Sequence, residues 1–152
     1  MEFNISEIKK ISESIVKYIN ENRSEKATVL ALHGDLGAGK TTLTQNISEV
    51  LGIIDYVNSP TFVIQKRYKI ESGKFNNLIH IDAYRISSPD EMKVLDFEKE
   101  LEDKNNLIII EWPGNIKECL PDDLINIYLN HIEEGIREIR IERKGEDITT
   151  II

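Results

Sequence analysis

Apolar residues recur at helical spacing near the start of the chain: Ile8, Ile11, Ile15, Tyr18 and Ile19, with Lys, Glu and Ser between them. The pattern predicts an amphipathic packing helix over 6–22, with Ser6 as its N-cap. A polar connection follows, and then Ala27 to His33 forms an apolar run suited to a buried strand. Leu43, Ile47, Val50 and Leu51 return to helical spacing, and Gly52 stands where a C-terminal cap belongs. Phe62–Ile70 and Asn77–Asp82 read as strands around the turn Glu71-Ser72-Gly73-Lys74, an antiparallel hairpin. Ser88 and Pro89 mark a helix start, and Met92, Leu95, Phe97 and Leu101 carry that helix to about Asp103. Leu107-Ile108-Ile109-Ile110 is the most continuous apolar run and predicts a central strand. Ile125–Ile132 and Ile136–Arg143 alternate on either side of Glu133-Glu134-Gly135, a second hairpin. Strand–helix alternation interrupted by hairpins predicts an α/β fold with a mixed central sheet, and no linker or repeat divides the 152 residues.

Composition narrows the partners. The net charge is -8. A nucleic-acid-binding surface carries a basic patch, and the densest basic stretch here, Lys66-Arg67 with Lys69, reads as the solvated face of a strand. Autonomous binding of DNA or RNA is therefore not expected, whereas an acidic surface that docks on a protein is compatible with this charge. The acid-rich segment 90–103 is read as a solvated helix face that could also serve for docking. No apolar run is long enough to cross a bilayer. The beginning of the chain lacks the pattern of a secretory signal, and Cys119 is the only cysteine, which leaves no intramolecular disulfide. A cytoplasmic protein is expected.

Between the first strand and the second helix lies Gly34-Asp35-Leu36-Gly37-Ala38-Gly39-Lys40-Thr41, which fits G-x-x-x-x-G-K-[ST]. The glycines let successive backbone N–H groups turn inward toward phosphate oxygens. The helix starting near Lys40 adds its positive dipole end. Asp35, Leu36, Gly37, Ala38, Gly39, Lys40, Thr41 and Thr42 are thus the expected nucleotide-binding residues. Lys40 would reach the outer phosphates, and Thr41 would offer its hydroxyl to Mg²⁺. The fold is accordingly expected to be a P-loop NTPase-like, three-layer arrangement.

The remaining chemistry should lie at the carboxyl ends of neighbouring strands. Asp82 and Glu111 end two apolar runs, and either could hold Mg²⁺ while the other orients water. Thr61 follows Ser59-Pro60 and is either a switch-loop ligand or a turn hydroxyl. Arg85 could pair with phosphate or with an acid such as Asp82. Trp112 walls the site, packs a partner or belongs to the core. His80, whose side chain points away from those of Asp82's neighbours, is read as a packed histidine rather than a base. The absence of N-K-x-D argues against a guanine-reading GTPase. A nucleoside or small-molecule kinase is an alternative, since Asp82-Ala83-Tyr84-Arg85 has an Asp-Arg element, although the arginines do not cluster into a lid. A non-catalytic, nucleotide-dependent interaction module is another.

Gly34 to Thr42, Ser59-Pro60-Thr61-Phe62, His80-Ile81-Asp82-Ala83-Tyr84-Arg85 and Glu111-Trp112-Pro113 stand in the order and spacing of the bacterial TsaE (YjeE) ATPases. The resemblance covers roughly residues 30 to 114. It implies ATP hydrolysis in the threonylcarbamoyl modification of adenosine in ANN-decoding tRNAs, performed while bound to the TsaB–TsaD pair, with the tRNA held by those partners. It also implies that Thr41 and Glu111 are associated with Mg²⁺, that Asp82 and Trp112 support activity, and that Tyr84 and Arg85 belong to the site motif. In the C-terminal hairpin, where the match is looser, it points to Arg137 as approaching the nucleotide.

Overall fold

The computed structural model describes residues 1–55, 57–58 and 64–151. Among them, eight strands form one mixed sheet. These are β1 (Glu2–Asn4), β2 (Thr28–His33), β3 (Gln65–Lys69), β4 (Asn77–Asp82), β5 (Asn106–Glu111), β6 (Ile125–Glu133), β7 (Ile136–Arg143) and β8 (Glu146–Asp147). Their order is β1-β7-β6-β2-β5-β4-β3, with β8 paired to β7. The inner strands β6, β2, β5 and β4 run parallel, while β3 and β7 return antiparallel as the two hairpins. Two short strands, β1 and β8, carry too little alternation to be legible in the sequence; both pair with β7.

One face of the sheet is covered by α1 (Ile8–Glu21) and α2 (Lys40–Val50). Their apolar stripes, Ile11, Ile15 and Ile19 on α1 with Leu43 and Ile47 on α2, pack on Leu30, Leu32, Leu107 and Ile109. The cap of the first helical segment is Asn4 rather than Ser6. The Asn4 side chain accepts from the Ser6 N–H at 3.0 Å, and the Glu7 carboxylate accepts from the Asn4 N–H at 2.9 Å. This reciprocal box extends the helix by a 3-10 turn over Ile5–Glu7. Helix α2 begins at Lys40, as the glycine loop requires, and Gly52 follows it at φ 77°.

The other face is covered by 3-10 turns at Pro89–Leu95 and Pro113–Cys119 and by the short α3 (Phe97–Glu102). The single helix expected from Ser88 to about Asp103 is in fact two pieces. Ser88 caps the first as expected, with Glu91 closing the box. Asp96 then adopts the left-handed conformation at φ 53° and breaks the run. The reason is visible in the spacing: Leu95 and Phe97 are two residues apart, a step that one straight helix places on different sides. Turning the chain at Asp96 brings both, with Met92, onto the cluster of Ile79, Ile81, Ile108 and Ile110. No helix among the described residues is long and apolar enough to cross a membrane.

Candidate active site

The parallel strands β2, β5 and β4 all end at one edge of the sheet, and the connections leaving that edge build a cleft of about 400 Å³. The Gly34–Thr41 loop leaves β2 there. Gly34 sits at φ 148°, and a Cβ on it would lie 2.4 Å from the Leu129 carbonyl oxygen of β6. The neighbouring strand thus excludes any side chain at that position. Gly39 is left-handed at φ 106° and forms the N-cap of α2. Ala38 is buried beneath the loop in the core, so its contribution to the site is its backbone.

Lys40 is 7% exposed. Its Nζ donates to the carbonyls of Gly34 at 2.5 Å and Asp35 at 3.0 Å, and it lies 4.2 Å from the centre of the Trp112 ring. Burial pushes this ammonium below its ordinary pKa, while the carboxylates of Glu111, Asp35 and Asp82 pull the other way. Trp112 reaches the ammonium because its own backbone is left-handed at φ 58°, which turns the chain as β5 ends. The Tyr84 ring is tilted against it at 5.0 Å between centres and is half exposed at the rim.

Below the loop, Thr41 Oγ1 donates to Glu111 Oε1 at 2.9 Å. The second oxygen of Glu111 meets His80 Nε2 at 3.3 Å. Glu111 is only 2% exposed. Burial raises its pKa, but the His80 ring, the Thr41 hydroxyl and the Lys40 ammonium outweigh burial and hold the carboxyl below the usual range. Asp82 is the register partner of Glu111 on β4, and its Oδ1 accepts from the Tyr84 N–H at 3.0 Å. That bond shapes the turn carrying Tyr84 and Arg85 to the cleft wall.

The fold therefore gathers Leu36, Gly37, Gly39, Lys40, Thr41, Thr42, Asp82, Tyr84, Arg85, Glu111 and Trp112 around one cleft, although they come from three separate stretches of chain. Asp35 contributes its carbonyl to Lys40. Arg137 is not among the residues lining this cleft; its Nη1 donates to the carbonyls of Glu133 and Ile136 at the turn of the β6–β7 hairpin. Thr61 lies outside the described residues. The residue that sequence reasoning undervalued is His80. The period-two rule places it on the same face as Asp82, but its meeting with Glu111 depends on the pairing of β4 with β5, which no single segment encodes.

A threonine hydroxyl and a carboxylate are hard oxygen donors and fit Mg²⁺ better than a softer transition metal. Lys40, the α2 N-terminus and the loop amides fit a phosphate chain.

Residues 4–139 match the family model for the threonylcarbamoyl adenosine biosynthesis protein TsaE. The chain is 38% identical to the tRNA threonylcarbamoyladenosine biosynthesis protein TsaE of Rickettsia prowazekii, over 90% of this chain and 92% of that one. It is 36% identical to the Haemophilus influenzae protein of the same name, over 92% and 85%. The Streptomyces coelicolor relative is 38% identical over 78% and 81%. Among solved structures, that of Bacillus subtilis YdiB superposes with a TM-score of 0.69 at 30% identity, covering 95% of this chain and 86% of that one. With its P-loop at the edge of a mixed sheet and this likeness along most of its length, the chain belongs to the TsaE family of threonylcarbamoyl adenosine biosynthesis proteins.

Proposed function

We propose that this protein binds ATP with Mg²⁺ in the Lys40–Glu111 cleft and hydrolyses its γ-phosphate in support of tRNA threonylcarbamoyladenosine formation, acting in the cytoplasm on a TsaB–TsaD pair. The observation that carries the reading is the direct hydrogen bond between Thr41 and Glu111, which brings the expected metal-binding hydroxyl and carboxylate together under the phosphate-binding loop. Bound Mg²⁺ would supply neutralisation of phosphate charge, held by Thr41 and Glu111.

The chain's own groups do the rest. Lys40 exchanges the carbonyls of Gly34 and Asp35 for phosphate oxygens, and the loop amides hold charge as it develops. Partial desolvation of this ammonium strengthens its attraction to phosphate, since fewer waters compete. Asp82, beside Glu111 and bonded to the Tyr84 amide, orients water or couples the Tyr84–Arg85 turn to the nucleotide. Arg85 faces the phosphates from the cleft wall, and Trp112 with Tyr84 excludes water. Arg137, on the hairpin, serves the nucleotide's far end. The acidic chain leaves tRNA to the partners.

Phosphate release measured with and without TsaB–TsaD tests this. Release that rises with the partners and falls about 100-fold or more in Glu111→Ala supports the ATPase, a loss of the size seen when a group stabilising transition-state charge is removed. Phosphate transferred to an added nucleoside replaces the reading with a kinase. Tight ATP binding without release in any mixture replaces it with an interaction module.

A further inference from the structure

We propose that His80 is a positioning residue of the metal site: its Nε2–H fixes the Glu111 carboxylate in the orientation that serves Thr41 and the cation. The inference rests on the Mg²⁺ role of Glu111 stated above and adds a residue to it.

His80 is fully buried in the middle of β4, between Ile79 and Ile81. Its register partner on β5 is Ile109, two residues before Glu111 on the same face, so the imidazole lies directly behind the carboxylate. Among the described residues, two donors meet the Glu111 oxygens: Oε1 takes the Thr41 hydroxyl at 2.9 Å and Oε2 takes His80 at 3.3 Å. An ionised carboxylate only accepts, so the shared proton belongs to Nε2. The other ring nitrogen, Nδ1, is buried and has no hydrogen-bond partner among the described residues.

Packing alone gives no reason for a histidine here. A leucine or phenylalanine would fill the space without burying a polar atom that lacks a partner, and such an atom costs stability. What the imidazole adds is direction. Its bond stops the carboxylate from rotating about its last torsion, a broad and weakly restrained one in glutamate. Partners of this kind behind a metal-binding side chain are worth about 10–100-fold in metal affinity or activity.

Binding of a fluorescent ATP analogue to the full chain, titrated with Mg²⁺, tests the assignment in wild type, His80→Phe and His80→Gln. The glutamine amide nitrogen can reach the place of Nε2, whereas phenylalanine only fills the volume. In His80→Phe the Mg²⁺ concentration needed to tighten nucleotide binding should rise about 10–100-fold. Its affinity in EDTA should stay at the wild-type value, and His80→Gln should recover most of the loss. A wild-type Mg²⁺ midpoint in His80→Phe, or a His80→Gln as impaired as His80→Phe, overturns the inference. Nitrogen chemical shifts of the wild-type ring decide the matter if the variants do not fold: a proton on Nε2 supports it, and the Nδ1–H tautomer overturns it. A wild-type affinity that ignores Mg²⁺ overturns the metal site itself and this inference with it, whereas Mg²⁺ dependence with the same midpoint in wild type and His80→Phe overturns this inference alone.

Discussion

On one face of the sheet two regular helices, α1 and α2, lie across Leu30, Leu32, Leu107 and Ile109. On the opposite face Ile79, Ile81, Ile108 and Ile110 are covered instead by 3-10 turns and the short α3. The first cover is built from residues that repeat at helical spacing. The second depends on left-handed residues, Asp96 at φ 53° and Trp112 at φ 58°, that redirect the chain between apolar anchors. The candidate site draws on both. Lys40 and Thr41 come from the start of α2, while Trp112 and Tyr84 come from the chain leading to the irregular cover. The regular face supplies the P-loop and the start of α2, and the irregular face supplies side chains that need special backbone to reach the cleft.

The sharpest way to break this contrast is to remove one anchor from each cover. Phe97→Ala should cost about 3–5 kcal/mol and Ile47→Ala about 2–5 kcal/mol in denaturant unfolding, since both are fully buried. Their hydrogen exchange should differ. Ile47→Ala should lower protection across β2 and β5, whereas Phe97→Ala should also speed exchange selectively at 89–102, where 3-10 turns hold fewer helical bonds. Identical exchange maps would show that the two covers open as one unit.

Asp96→Val probes the turn itself. A β-branched residue held left-handed should cost about 1–2 kcal/mol, while Asp96→Asn should be close to neutral in the same melt. A Val variant as stable as wild type would show that the turn does not need its left-handed residue.

The smallest effect concerns an ion pair outside both covers. Arg143 on β7 donates to both oxygens of Asp123, at 2.9 and 3.1 Å, and this holds the Asp123 carboxyl below its usual range despite the opposing effect of burial. A depressed folded-state pKa stabilises the protein above the ordinary carboxylate value and loses that stabilisation as pH falls through the folded value. Asp123→Asn should therefore cost about 0.5–1 kcal/mol at neutral pH, and the difference from wild type should vanish in acid. A difference that persisted in acid would assign the loss to packing.

Much of the architecture was legible because its signals are local. The helix starting at Lys40, the Gly52 stop, the two hairpins and the buried β5 each follow from spacing within a dozen residues. So do the loop residues of the cleft and the strand-end positions of Asp82 and Glu111. The break at Asp96, the Asn4 cap and the strands β1 and β8 were not legible. The break at Asp96 rests on one residue's left-handed backbone, β8 on a turn through left-handed Lys144 and β1 on a partner far along the chain, while the Asn4 cap is a local signal that competed with Ser6 two residues on.

By itself, then, the sequence determined that a glycine-rich P-loop joins a buried strand to a helix, and that two acids end neighbouring strands. Glycine geometry and hydrophobic period act over short stretches and need no tertiary information. Only the fold decided that Thr41 and Glu111 share a hydrogen bond, that the Trp112 ring lies on the Lys40 ammonium, and that His80 stands behind the carboxylate. The first two contacts require β2 and β5 to pair in one register and the third requires it of β4 and β5, and register is set by the burial of both sheet faces at once.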